Sequence, residues 1–217
     1  VALGEVTLGE GVDSWNTIIF LYNSALKEVR TKVEILNDEF QQVHQYNPIE
    51  YIKSRIKAPE SIVKKLKRYG YDSSIDNMVN YINDIAGIRI VCSFTSDIYR
   101  IAEMIRLQND IHVIAVKDYI RLPKASGYKS YHMLVTVPVF LSDRTVDVKV
   151  EIQIRTVAMD FWASLEHKIN YKFEGNAPEH VKRELIECAG MVSALDNRMQ
   201  ELNEEIKALS KEDTDGA

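Results

Sequence analysis

The sequence predicts an α+β domain: a mixed, roughly five-stranded sheet flanked by helices, with one long helix at each end. Three observations predict it. Apolar positions recur at helical spacing over about residues 13–46 and again over about 178–209. Between these stretches the order is helices, then β-α-β-β-β, then helix again, which suits a mixed sheet rather than a regular βαβ winding. The run 147–156, D-V-K-V-E-I-Q-I-R-T, alternates without a break. It sets Val148, Val150, Ile152 and Ile154 on one face and Lys149, Glu151, Gln153 and Arg155 on the other.

Taken in order, residues 1–12 have no periodicity and read as a disordered or appended tail. Trp15, Ile18, Tyr22, Leu26, Val29, Val33, Leu36, Phe40 and Val43 mark the first helix, and Asn47-Pro48 punctuates its end. A second helix spans 59–69, with Pro59 in its first turn and Gly70 as its stop. A short helix is expected near 74–83, a β-rich run at 85–94, a helix at 97–107 and a strand at 111–120. Residues 131–141 and 145–155 pair as a hairpin around Ser142-Asp143-Arg144. Helix returns at 157–171. The expected organisation is a core at 47–175, a C-terminal helical extension at 176–210 and an acidic tail at 211–217.

Composition excludes several classes. The 217 residues suit one domain, and no apolar run approaches the roughly 20 residues of a membrane span. No basic-then-apolar leader opens the chain. Two cysteines, Cys92 and Cys188, make neither a disulfide framework nor a zinc cluster, so a reducing cytoplasm is expected. None of the five histidines is followed by Asp, which excludes a His-Asp metal phosphohydrolase core. The net charge of −5 conceals an asymmetry. Residues 53–69 hold seven cations against Glu60 alone, a balance of +6, so the remainder carries −11. One cationic patch on an acidic body suits a compact polyanion such as a nucleoside triphosphate better than extended nucleic acid.

Individual residues sharpen this. Lys57, Ser61, Lys65 and Arg68 form one stripe if the helix or its lead-in turn reaches back to Lys57, and such a row suits successive phosphates. A solvated helix face is the plain alternative. Asp84 stands at the mouth of an apolar strand, a common metal position and also a common turn position. Arg89 lies inside that strand and needs an anionic partner, either a structural carboxylate or a bound phosphate. Gly127 bends the loop that presents Tyr128 outward, where its ring can stack on a base, with Lys117 and Lys124 nearby. The polar face of 147–156 is either the wet face of an edge strand or the floor of a nucleotide site.

The segments R-I-K-x-x-x-S-I-x-x-K-L-x-R, N-D-I-A-G-I-R-I, K-D-Y-I, P-K-A-S-G-Y-K-S-Y-H, V-E-I-Q-I-R-T and A-M-D-F-W-A-S-L-E-H-K-I-N-Y-K occur in the order of the Rel/Spo synthetase family. Over about residues 47–205 the chain resembles a small alarmone synthetase, nearer the RelP branch than RelQ. The resemblance implies a nucleotidyltransferase-like synthetase fold and a (p)ppGpp synthetase. Such an enzyme moves the pyrophosphate of ATP to the ribose 3′-OH of GTP or GDP and releases AMP. It implies Mg²⁺ at Asp84 and Glu151, with Glu151 also the base or positioning group for the 3′-OH. Arg55, Lys57, Ser61, Lys65, Arg68 and Arg89 match the ATP side. Tyr128 matches the guanine-stacking residue, Lys117, Lys124, His132 and Gln153 match acceptor contacts, and Asp160 and Glu166 are further candidates for the acceptor pocket. Ser126 and Lys129 depart from the common loop, so preference among GDP, GTP and GMP stays open. An inactive nucleotide- or RNA-binding module of the same fold is expected to lack Asp84 or Glu151, and both are present. A template-independent nucleotidyltransferase wants a Gly-Ser helix start followed by paired Asp residues two apart on a strand; here Asp147, Lys149 and Glu151 share the strand face, and no Gly-Ser pair precedes them.

In the last helix Val181, Leu185, Cys188, Val192, Leu195, Met199, Leu202, Ile206 and Leu209 form a heptad seam that must be covered. The first helix is one cover. A second subunit is the other, and the resemblance implies a homotetramer.

Overall fold

The first helix, α1 (Trp15–His44), forms because apolar side chains recur every three or four residues; Ile18, Leu21, Tyr22, Ala25, Leu26, Val29 and Val33 are all buried. The computed structural model describes residues 15–44, 46–173 and 176–215. The tail expected over 1–12 and the last two residues of that expected over 211–217 lie outside them. α1 lies along the apolar face of a five-stranded sheet. Its strands are β1 (Ile49–Ile56), β2 (Ala86–Cys92), β3 (His112–Asp118), β4 (Tyr131–Phe140) and β5 (Thr145–Thr156). They lie in the order β1-β2-β5-β4-β3, and only β2 and β5 run parallel.

β5 is the middle strand, not the wet edge that its charges allowed. Both neighbours take up its backbone hydrogen bonds. Its Val148, Val150, Ile152 and Ile154 are buried in one core with α1 and with Ile98, Ile101 and Ile105 of the helix Thr95–Arg106, α4. A one-residue slip of β5 would turn those four side chains out, at about 1.5–3 kcal/mol each. The core therefore fixes the register, and the register places the polar face.

No strand is expected from the sequence over 49–56, yet β1 forms there, antiparallel to β2. The segment I-E-Y-I-K-S-R-I is mostly exposed, so its alternation carries little apolar signal. Such polar composition fits an edge strand, whose outer side faces water. The helix Pro59–Tyr69, α2, has the expected bounds, with Gly70 at φ 82 as its left-handed cap. Ser74 caps α3 (Ile75–Tyr81) by accepting from the Asn77 N–H.

α5 (Val157–Lys172) and α6 (Glu179–Asp215) pack together, and α6 also touches α4. α6 overruns its expected end at 210 and enters the expected acidic tail. The seam predicted along it divides. Leu185 and Val192 are half-buried, and the Leu185 carbonyl accepts from the Trp162 indole at 3.0 Å. Leu195, Met199, Leu202, Ile206 and Leu209 are exposed. α1 does not cover them, because its apolar stripe is spent on the sheet.

The inner side of α6 presses on the β3–β4 loop. Gly127 has φ +85, and a Cβ there would lie 2.5 Å from the Ala189 Cβ. Gly127→Ala is therefore expected to cost about 1–3 kcal/mol, partly from the backbone and partly from the clash. Adding Ala189→Gly should recover the clash and leave about 1 kcal/mol from the left-handed backbone at 127 and about 1 kcal/mol from a glycine inside α6. Urea midpoints at constant m measure both, and a Gly127→Ala protein as stable as the parent would sink the account.

Candidate active site

Register across the sheet assembles the site. Lys53 of β1, Arg89 of β2, Gln153 of β5, His132 of β4 and Lys117 of β3 stand at one level across all five strands. Two residues along, Arg55, Gly87 and Glu151 stand opposite one another. Paired residues share a face of the sheet. Lys53, Ser54 and Arg55, Gly87, Ile88 and Arg89, and Glu151 and Gln153 line a cavity of about 340 Å³ together with Asp84. A Cβ on Gly87 would meet its nearest atom, the Arg55 Cγ, only at 3.9 Å. Packing does not demand that glycine, but its bareness leaves the cavity floor open between Arg55 and Glu151.

Asp84 sits in the turn before β2. The Lys57 ammonium donates to one of its oxygens at 2.9 Å and the Lys65 ammonium to the other at 2.8 Å. Lys57 belongs to the turn between β1 and α2, and its N–H donates to the Ile85 carbonyl at 2.8 Å. The expected stripe is thus two lysines converging on one carboxylate. Ser61 and Arg68 are exposed on α2 and do not line the cavity. Arg68 lies 5.5 Å from the Tyr69 ring centroid. Burial pushes the Asp84 carboxyl up, but Lys65 and Lys57 outweigh it and hold it below the usual Asp range.

Glu151 accepts from the Gln153 amide at 2.9 Å, and the His132 Nδ1 lies 3.5 Å from its other oxygen. Burial raises its carboxyl; His132 and Gln153 more than offset that, so it too is held below the usual Glu range. The His132 Nε2 meets the Tyr128 hydroxyl at 2.8 Å. Tyr128 was expected to point outward. Instead its hydroxyl turns in to His132 and Arg155 and the residue is half-buried, while the Lys124 ammonium lies 4.7 Å from its ring centroid. Lys117 is exposed on β3, beside His132.

The anion that Arg89 needs is Asp160, in the first turn of α5, at 3.0 Å. Asp160 is 3% exposed and is also engaged by Arg155 at 3.0 Å and by the Tyr51 hydroxyl at 2.8 Å. Its carboxylate is thus occupied by protein donors rather than presented to the cavity, and Glu166, farther along α5, does not line the cavity either. Sequence reasoning missed Lys53, Ser54 and Tyr51, because it missed β1. Arg155 and Lys149 stood in the alternating row without roles. Lys149 is buried and donates to the Val79 and Asn80 carbonyls at 3.2 and 3.3 Å, gripping the end of α3 just before Asp84.

Residues 54–176 match the region found in RelA/SpoT proteins. The chain belongs to the RelA/SpoT family. Among curated relatives, the GTP pyrophosphokinase YwaC of Bacillus subtilis is 45% identical over 195 residues, spanning 90% of this chain and 93% of that one. The crystal structure of small alarmone synthetase 2 from Bacillus subtilis superposes with a TM-score of 0.81 at 44% identity, covering 88% of this chain and 98% of that one. That of small alarmone synthetase 1 from the same organism, bound to its product pppGpp, gives 0.83 at 37% identity, covering 89% and 98%. The RelA/SpoT match begins inside β1, so it includes every residue of the cavity except Lys53.

The Asp160 cluster has a consequence for acid stability. Burial raises its carboxyl, but Tyr51, Arg89 and Arg155 together hold it below the usual Asp range. A carboxyl depressed by folding stabilises the fold above its unfolded value of about 3.9, and that stability is lost as pH falls through the lower folded value. Unfolding free energy should therefore fall as pH drops below about 4, and Asp160→Asn should flatten that slope. Denaturation measured along this pH series checks it; an unchanged slope in the variant would refute the assignment.

Proposed function

We propose that the chain is a (p)ppGpp synthetase which transfers the pyrophosphate group of ATP to the ribose 3′-OH of GTP or GDP and releases AMP. The observation that carries this reading is a RelA/SpoT region whose cavity has two ionised carboxylates facing a set of cations. Joining two nucleotides brings polyanions together, so charge must be cancelled first. Lys57 and Lys65, with Arg55 and Arg89 across the cavity, do this for the donor phosphates, and Ser61 and Arg68 extend the same surface along α2. On the acceptor side Tyr128 stacks on guanine, Lys117 and Lys124 meet phosphate charge, and His132 and Gln153 hold Glu151 and the ribose. The ion pairs of Asp160 make it a support for Arg89 rather than a ligand of the acceptor.

The donor set fits Mg²⁺. Asp84 and Glu151 are hard oxygen ligands on one cavity, and this cation is commonly held by one or two carboxylates with substrate phosphates completing its shell. Bound there, it supplies neutralisation of the donor phosphates. The rest is alignment. Glu151, held ionised, accepts a hydrogen bond from the 3′-OH. A carboxylate below its usual range is a weak base, so its contribution is chiefly to aim the hydroxyl at the β-phosphorus.

Incubation with ATP, GTP and Mg²⁺ tests the reading: AMP and a 3′-pyrophosphorylated guanosine nucleotide are expected. Glu151→Gln and Asp84→Asn should each lower turnover roughly a thousandfold with the fold intact. Near-normal turnover of either variant at saturating Mg²⁺ would overturn its assignment.

The uncovered surface supports the homotetramer that the family resemblance implies. Leu195, Met199, Leu202, Ile206 and Leu209 on α6, and Val157, Phe161 and Leu165 on α5, are exposed apolar rows of the kind that another subunit covers. The chain forms a homotetramer through them. Light scattering should give four times the 24.9 kDa of one chain, and Leu195→Glu should lower it. A monomer mass at micromolar concentration is the result that rejects the tetramer. Among the described residues no helix is long and apolar enough to cross a membrane.

A further inference from the structure

Arg155 is 4% exposed and every nitrogen of its guanidinium is used within the protein. Nε donates to the Ser130 hydroxyl at 3.3 Å and NH1 to Asp160 at 3.0 Å. NH2 donates to the Gln153 carbonyl oxygen at 3.1 Å and to the Tyr128 hydroxyl. Four of its five N–H donors are thus taken by the protein and the side chain is buried, so its place is behind the nucleotides rather than against them. Its partners nevertheless belong to both halves of the site. Tyr128 and Gln153 lie on the acceptor side. Asp160 gives the same oxygen to Arg89, which lines the donor cavity, and its other oxygen to Tyr51 of β1.

The contacts also close on themselves. Arg155 joins Tyr128, Tyr128 joins His132, His132 faces Glu151, Glu151 accepts from Gln153, and Gln153 returns to Arg155. Arg89 hangs from this circuit by one nitrogen, and its buried Nε has no protein partner. A buried arginine-carboxylate pair is weak evidence of stabilisation, since desolvating both ions offsets much of their attraction and apolar replacements are often neutral. A fork that serves four acceptors at fixed angles does supply orientation.

We infer that Arg155 is a positioning residue that couples the two nucleotide subsites, by sharing Asp160 with Arg89 on the donor side while holding Tyr128 and Gln153 on the acceptor side. The inference rests on the synthetase reading above and adds a linkage to it. Filling the acceptor side fixes Tyr128 and Gln153, hence Arg155 and Asp160, hence the direction in which Arg89 meets the donor phosphates. Linkage requires the effect to be reciprocal.

The test is the affinity of the intact protein for an α,β-methylene analogue of ATP, measured with Mg²⁺ alone and with saturating GDP. The parent protein should bind the analogue about fivefold or more tighter with GDP present, the lower end of common coupling between sites. Arg155→Lys keeps a positive charge beside Asp160 but cannot serve four acceptors, and its ratio should fall to near one. A merely structural role would move the unfolding midpoint and leave the ratio as in the parent. Should Arg155→Lys fail to fold, Tyr128→Phe keeps the stacking ring and removes only the hydroxyl, and its ratio should fall likewise. A parent ratio of one, or a parent-like ratio in the folded variant, overturns the inference. Failure of the synthetase reading looks different: the parent then makes no 3′-pyrophosphorylated product from ATP and GTP.

Discussion

A charged row on the central strand is the constraint from which the rest of the site follows. β5 is hydrogen-bonded on both sides, and the face opposite its charges is the middle of the core. Lys149, Glu151, Gln153 and Arg155 therefore cannot turn away into bulk water without pulling Val150, Ile152 and Ile154 out of the core. Each must find partners where it stands, since an unpaired buried charge costs several kcal/mol. Lys149 finds the carbonyls at the end of α3, Glu151 finds Gln153 and His132, and Arg155 finds Asp160. Fold stability and site geometry are thus satisfied by the same contacts.

The cations around Asp84 obey a related rule. Lys57 and Lys65 come from two sides to a single carboxylate, Asp84, and the N–H of Lys57 ties the basic turn to the residue after Asp84. Two ammonium groups on one carboxylate leave a net positive charge beside the cavity that Asp84 lines. Arg55 and Arg89 increase it from the neighbouring strands. A polyanion entering there meets an attraction that is screened little because the groups are partly buried.

Much of this was legible in the sequence, and what was not has physical causes. The alternation of 147–156 declares both faces of β5, because side-chain direction in a strand is fixed by parity alone. The bounds of α2 are readable from Pro59 and Gly70, whose backbone preferences are intrinsic. Parity does not say which strands lie on either side, so the level shared by Lys53, Arg89, Gln153, His132 and Lys117 emerges only from register. β1 escaped because an exposed edge strand needs no apolar alternation. The partnership of Arg155 with Asp160 joins residues on two elements at an angle, a relation that no one-dimensional spacing encodes. Tyr128 illustrates the same limit: the bend at Gly127 is readable, but the direction of the ring is set by His132 and Arg155.

The close approach of Gly127 to Ala189 gives α6 two unlike sides. Its outer residues, Leu195 and Ile206 among them, face away from the domain and can be exchanged for other side chains of similar polarity without touching the cavity. Its inner residues form the back wall of the loop that carries Tyr128. There Ala189 has no room to grow, and Ser193 receives the Lys129 ammonium. Along one continuous helix, substitutions a single position apart thus fall under separate rules, one set by surface chemistry and the other by the volume behind a tyrosine.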